Sequence, residues 1–175
     1  IMLMADQDHD GSHIKGLIIN WLHKFWPELL MIDGFLKEFI TPIVKCKNRK
    51  TKEVKVFFTM PEYIKWKEET NGGKGWDIKY YKGLGTSNAD EAREYFSNLR
   101  VHKITFKWED KASEKIELAF SKEKVEERKN WLNSYKEGDY LDHSKRVVKY
   151  TDFFDKEMIL FSIADNARSI PNIMD

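Results

Sequence analysis

Asp6, Asp8 and Asp10 alternate along Asp6-Gln7-Asp8-His9-Asp10-Gly11, which continues into Ser12-His13-Ile14-Lys15-Gly16. Side chains two apart share one side of an extended chain, so the three carboxylates can converge. Like charges held that close repel unless a cation lies among them. Oxygen-only donors favour a hard ion, Mg²⁺ or Ca²⁺. A second candidate is Lys82, which opens Lys82-Gly83-Leu84-Gly85-Thr86-Ser87. Small residues let the backbone approach a ligand, and amides at a helix start favour phosphate. Taken alone, a Gly-x-Gly turn between strand and helix is usually only a turn.

The acidic run also admits two other readings. Asp6, Asp8, Asp10 and Gly11 match the opening of an EF-hand loop, but that loop needs a bidentate Glu at its twelfth position, where Leu17 stands. It also needs a preceding helix. An acidic surface turn explains poorly why three alternating acids directly follow the apolar run Ile1-Met2-Leu3-Met4-Ala5.

That apolar run reads as a buried strand feeding a crossover helix, which places the acids at its carboxyl end, where open α/β sheets hold their ligands. Ser12 is a plausible N-cap for a helix burying Ile14, Leu17, Ile18, Trp21, Leu22, Phe25 and Leu29, with Pro27 ending or kinking it. Phe35 to Cys46 reads as one strand, Asn48 to Thr51 as a turn and Val54 to Thr59 as the returning strand. The lysines around that turn are better explained by a solvated hairpin than by nucleic acid. A short helix follows Pro61, a strand spans Asp77 to Lys82, and a helix from Asn88 to Leu99 has Glu91 placed for a capping box. Ile104–Trp108 and Ile116–Phe120 read as a hairpin. Ser121 then caps a long charged helix with Val125, Trp131, Leu132 and Tyr135 on its apolar side. Glu137 to Ser144 is a linker, and Phe153 to Ala164 a last helix. The aromatic residues fall at helical or alternating spacing, which marks core.

The 175 residues suffice for one domain, or one domain and a fragment. Hydrophobic content of 41% and charged content of 34% describe a globular chain and exclude a disordered one. A net charge of +1 lacks the basic excess of a dedicated nucleic-acid module, so DNA binding would need a local patch or residues outside this chain. The single cysteine excludes an internal disulfide and fits a reducing compartment. No apolar run approaches the ~20 residues of a membrane span, and no signal peptide is visible. Ile1 reads as a cut within a domain.

The stretch from Met4 to Leu17 resembles the second half of a Toprim domain in its type IIA DNA topoisomerase form. Further segments follow in the order of the eukaryotic-type family: Phe39-Ile40-Thr41-Pro42-Ile43-Val44-Lys45, Tyr80 to Ser87, Leu118-Ala119-Phe120-Ser121, Arg128-Lys129-Asn130-Trp131-Leu132, Asp155 to Ser162, and Asp165 to Pro171. The resemblance covers the whole chain. It implies an α/β fold: a Toprim-type parallel sheet flanked by helices, a β-hairpin-containing extension, and a C-terminal helical lead into a winged-helix domain. Residues 1–121 would form the Toprim metal-binding region with its extension, 122–150 a connecting helix and linker, and 151–175 the start of the winged-helix domain.

The resemblance also implies an activity: cutting and resealing both strands of duplex DNA through a tyrosine that joins the 5′ end. Asp6 and Asp8 would be the catalytic metal ligands, with Asp10 supporting the cluster. The ion would be Mg²⁺, with Mn²⁺ or Ca²⁺ able to substitute. Lys82 would lie near the DNA backbone. His13 and Lys15 would support the site or touch phosphate, or equally be packing and surface residues of the first turn. The parent enzyme would be an ATP-dependent, nuclear homodimer. The family's glutamate lies upstream of this stretch, the nucleophilic tyrosine is expected beyond Pro171, and no Gly-rich ATPase motif is present. The chain alone is therefore expected to be inactive and to bind no ATP. The connection around Glu137 to Leu141 is shorter than in many animal members. The alternatives are a Toprim nuclease or primase, which would not carry the later segments, and a non-catalytic metal-binding module.

Overall fold

The computed structural model describes residues 1–81 and 83–169. Strand β1 (Met2–Leu3) leads into helix α1 (His9–Phe25), and Pro27 starts a short α2 (Pro27–Met31). Strands β2 (Lys37–Phe39), β3 (Val44–Asn48) and β4 (Val54–Phe57) precede α3 (Met60–Glu69). Then come β5 (Trp76–Tyr80), α4 (Ala89–Ser97), β6 (Lys103–Lys107), α5 (Ala112–Phe120) and α6 (Val125–Asn133). Strand β7 (Val147–Lys149) joins α7 (Tyr150–Phe153), which passes through a π turn (Phe154–Met158) into α8 (Ile159–Ser169).

The fold is mixed α/β with two sheets. One has the order β1-β2-β6-β7 and the other β4-β3-β5. In the first, β1–β2 and β6–β7 are parallel and β2–β6 is antiparallel. The larger core packs Leu3, Ile19, Leu22, Ile104, Ile116 and Phe154 between this sheet and its helices. Trp131, Leu141 and Tyr150 join the same core. The smaller core holds Val44, Cys46, Phe57, Tyr63 and Trp66.

Four sequence expectations are corrected. Phe35 to Cys46 is not one strand: Pro42 removes an amide donor, and the chain passes from β2 in one sheet to β3 in the other. Ile116–Phe120 is helix, not the return strand of a hairpin. Ala112, Ile116 and Phe120 repeat every four residues, and a short apolar run alone cannot separate the two periods. Ser121 ends α5, and α6 begins at Val125. The fourth concerns α1. Its buried residues are Gly11, Ser12, Lys15, Gly16, Ile19 and Leu22, while Ile14, Leu17, Trp21 and Phe25 are 52%, 45%, 51% and 60% exposed. Its apolar residues cover a broad face, wider than the buried one, so periodicity alone could not fix which part of that face turns inward. Gly16 is part of that choice: a Cβ there would stand 3.1 Å from Met158 Sδ and 3.3 Å from Phe120 Cζ. The capping box at Asn88 and Glu91 forms as expected.

Candidate metal centre

The acids do not occupy a simple extended run. Asp6 follows β1, Asp8 is the N-cap of α1, and Asp10 lies in its first turn. The helix thus begins four residues earlier than a Ser12 cap would allow. Asp8 Oδ1 accepts from the Gly11 amide at 2.7 Å, satisfying one of the open donors of a helix start. The partial positive charge of that terminus also moderates repulsion among the carboxylates.

Asp6 is the half-buried member, and Asp8 and Asp10 are exposed. Asp6 Oδ1 accepts from the Leu84 amide at 2.7 Å, across 78 residues of sequence. This bond seats the glycine turn on the acidic motif. The approach is close on both sides of Asp6. A Cβ at Gly83 would lie 2.4 Å from Asp6 Cγ, and one at Gly11 would lie 2.0 Å from the Asp6 carbonyl oxygen. Asp10 Oδ1 faces the Arg168 guanidinium at 3.3 Å. Gln7, Asp8, His9, Asp10, Ala164 and Arg168 line a cleft of about 360 Å³.

Among the described residues, the three aspartates do not bring their oxygens within 4.8 Å of one another; the one trio that meets that spacing is Glu38, His143 and Glu157. There Lys15 already supplies the cation. The aspartates nonetheless suit Mg²⁺. This ion keeps several waters and binds through one or two carboxylates plus phosphate oxygens, so a spread set of oxygen donors fits it better than a closed cage. Asp6 and Asp8 each spend one oxygen on a backbone amide and keep the other.

Lys15 is buried, which, of the roles open to it, does not suit a phosphate contact or a surface position. It is 1% exposed, and its ammonium donates to Glu38 at 2.6 Å and to Glu157. Surrounded by carboxylates in the interior, it cannot reach a DNA backbone. His13 stacks on Phe161 with centroids 3.9 Å apart, and the Arg168 guanidinium lies 5.8 Å from that ring's centroid. The expectation for Lys82 lies outside the described residues. Arg168 was missed as a partner of the acids, because its contact with Asp10 spans 158 residues and has no local spacing. Its only sequence signal is that it falls within the last family-like segment.

Burial pushes His143 down, but Glu157 and Glu38 outweigh this and raise it above its ordinary value. Its Nε2 lies 3.7 Å from Glu157 Oε2. Burial lowers His23 and His102 instead.

The family model described as the C-terminal associated domain of TOPRIM matches residues 39–166. The chain belongs to that family, in the form found in DNA topoisomerase 2. It is 61% identical to DNA topoisomerase 2 of Arabidopsis thaliana, over 100% of this chain and 12% of that protein. It is 55% identical to DNA topoisomerase 2 of Saccharomyces cerevisiae, again over 100% of this chain and 12% of that one. The crystal structure of the Plasmodium falciparum topoisomerase II DNA-binding, cleavage and re-ligation domain superposes with a TM-score of 0.91 at 54% identity, covering 99% of this chain and 24% of that chain. The chain thus spans about an eighth of the length of these curated relatives.

Two outcomes follow from the geometry. Gly83→Ala drives a methyl group into the Asp6 carboxylate and is expected to cost about 1–3 kcal/mol. Gly85→Ala, where a Cβ meets nothing within 4 Å, should change little. Denaturant unfolding of the two variants checks this. For His143 the folded pKa lies above the unfolded value of about 6.5. Its contribution to stability is full below that value and is lost as pH rises through the raised pKa. The lowered values of His23 and His102 act on the acid side of about pH 6.5, leaving the window above it to His143. The denaturation midpoint should fall as pH rises above about 6.5, and His143→Gln should flatten that fall.

Proposed function

We propose that this chain is the part of an ATP-dependent type IIA DNA topoisomerase that supplies the acidic half of the cleavage site. The observation that carries this reading is the bond from the Leu84 amide to Asp6, which joins the acidic motif and the glycine turn into one site. Asp6 and Asp8 would hold Mg²⁺, or Mn²⁺ or Ca²⁺ in its place, and Arg168 would hold Asp10 at their side. When bound, the ion supplies stabilisation of charge on the departing 3′ oxygen and an anchor for the neighbouring phosphate. The residues of this chain fix where those charges must come. Leu84 fixes the rotamer of Asp6, and the α1 cap fixes Asp8. By likeness to the family, Lys82 would meet the DNA backbone, and His13 would support the first turn of α1 through Phe161.

Duplex DNA is the proposed substrate, and the nucleophilic tyrosine, the ATPase and the second acid partner belong to other parts of the enzyme. Likeness to DNA topoisomerase 2 of eukaryotes supports a homodimeric, nuclear parent. No helix among the described residues is long and apolar enough to cross a membrane. Residues 1–121, 122–150 and 151–175 would divide the roles of metal-binding region, connector and start of the winged-helix domain, although a single core runs through residues of all three.

In the full-length enzyme, Asp6→Ala should lower Mg²⁺-dependent cleavage at least ~100-fold while noncovalent duplex binding persists, because it removes a metal ligand and no extended phosphate contact. An unchanged Mg²⁺ midpoint and cleavage level would refute the assignment. Lys82→Ala should instead weaken binding similarly across sequences and reduce the log–log salt slope by ~0.9. Affinity measured at several salt concentrations separates a phosphate contact from a solvated turn lysine.

A further inference from the structure

We infer that Glu157 is a positioning residue for the metal centre: from the π turn, it holds the first two turns of α1, and with them the acidic motif, through Ser12 and Lys15. The inference rests on the reading of Asp6 and Asp8 as metal ligands.

Ser12, Lys15 and Gly16 lie at helical spacing on one face of α1, and all three meet the π turn. The Ser12 hydroxyl is 2.7 Å from Glu157 Oε1, across 145 residues. The same hydroxyl lies 3.1 Å from the Asp8 carbonyl oxygen. An unbroken run of contacts thus leads from Glu157 through Ser12 to the residue that caps α1. One turn further on, Lys15 binds Glu157 and Glu38 together. Gly16 lets Met158 close against the helix. The helix is pinned in rotation by the ionic contact and in distance by the glycine.

The carrier of Glu157 is unusual. Phe154–Met158 is a π turn inside an otherwise α-helical segment, a local widening that recurs at functional sites. Phe154 and Met158 are buried at its two ends, and the Glu157 side chain is 15% exposed. The remaining oxygens, Glu157 Oε2 and Glu38 Oε1, have no hydrogen-bond partner among the described residues, nor do the nitrogens of His143, whose Nε2 stands at ion-pair distance, 3.7 Å, from Glu157 Oε2. The cluster is more heavily charged than a packing contact requires. Two carboxylates and one ammonium leave a net negative charge beside His143. Groups that orient metal ligands from outside the coordination sphere commonly set metal affinity, and their loss costs about 10–100-fold in affinity or activity.

The test uses the full-length enzyme and Mg²⁺ titration of DNA cleavage. Glu157→Gln keeps the volume and an acceptor for Ser12 but removes the charge that orients Lys15. The Mg²⁺ concentration for half-maximal cleavage should rise about tenfold, while metal-free duplex affinity stays within about twofold. Ser12→Ala, a milder change that keeps the ionic cluster, should raise the midpoint about threefold. A fall in thermal stability with the Mg²⁺ midpoint unmoved in both variants would overturn the inference and leave a purely structural ion cluster. If Glu157→Gln fails to fold, Ser12→Ala decides alone by the same criterion. Wild-type enzyme without Mg²⁺-dependent cleavage would instead refute the reading of the aspartates. Normal wild-type dependence with unmoved variants would refute only the role of Glu157.

Discussion

An ammonium taken out of water is tolerated only when its charge is met by well-placed partners, because desolvation costs several kcal/mol per ion. Burial alone would strip the proton from Lys15, but Glu157 and Glu38 hold it charged, above its ordinary range. Burial raises Glu157 in turn, and Lys15 and His143 more than reverse this, keeping it ionised. The three groups arrive from α1, β2 and the π turn, so the charges are satisfied only when all three elements are in place. Removing one partner from such a cluster typically costs about 3–5 kcal/mol, because the other is left buried and unmet. That constraint decides the orientation of α1. The helix turns Lys15 inward together with Ile19 and Leu22 and leaves Trp21 and Phe25 outside, an inner face that hydrophobicity by itself would not select.

The acidic motif inherits its geometry from this arrangement. With α1 pinned, its start falls at Asp8, and the chain before it must fold back so that Gly11 touches the Asp6 backbone. The glycine turn closes over the same aspartate from the other side. Asp6 is therefore enclosed by two backbone segments that tolerate no Cβ, while Asp8 and Asp10 face the cleft. One carboxylate is fixed by main-chain contacts, one by helix capping, and one by Arg168. These are different physical devices, and each spends only part of the acceptor capacity of its carboxylate.

What could be read from the residues beforehand divides along the range of the interactions. Local signals were legible: the alternating acids, Pro27 between two helices, the Asn88 capping box, the turn after β3, and the segment order that marks the family. Features set by distant contacts were not. Lys15 has the look of a first-turn surface lysine, because nothing within a few residues announces Glu38 or Glu157. Ile116–Phe120 is too short for its period to tell helix from strand. The true start of α1 was hidden because Ser12 and Asp8 are both good caps; the helix uses Asp8, and the Ser12 hydroxyl meets Glu157 instead, 145 residues away.

Beside the local cap at Asp8, three contacts that shape the site are long closures, spanning 78 residues from Asp6 to Leu84, 145 from Ser12 to Glu157 and 158 from Asp10 to Arg168. Such contacts form only after the entropy of closing the intervening loops has been met. During synthesis the acids emerge well before Glu157 and Arg168, the groups that arrange them. A ribosome-bound chain that has not yet exposed Glu157 and Arg168 carries the aspartates as a loose, solvated tract. The order of translation therefore withholds the assembled arrangement of the three aspartates from the nascent chain until α8 has packed in place.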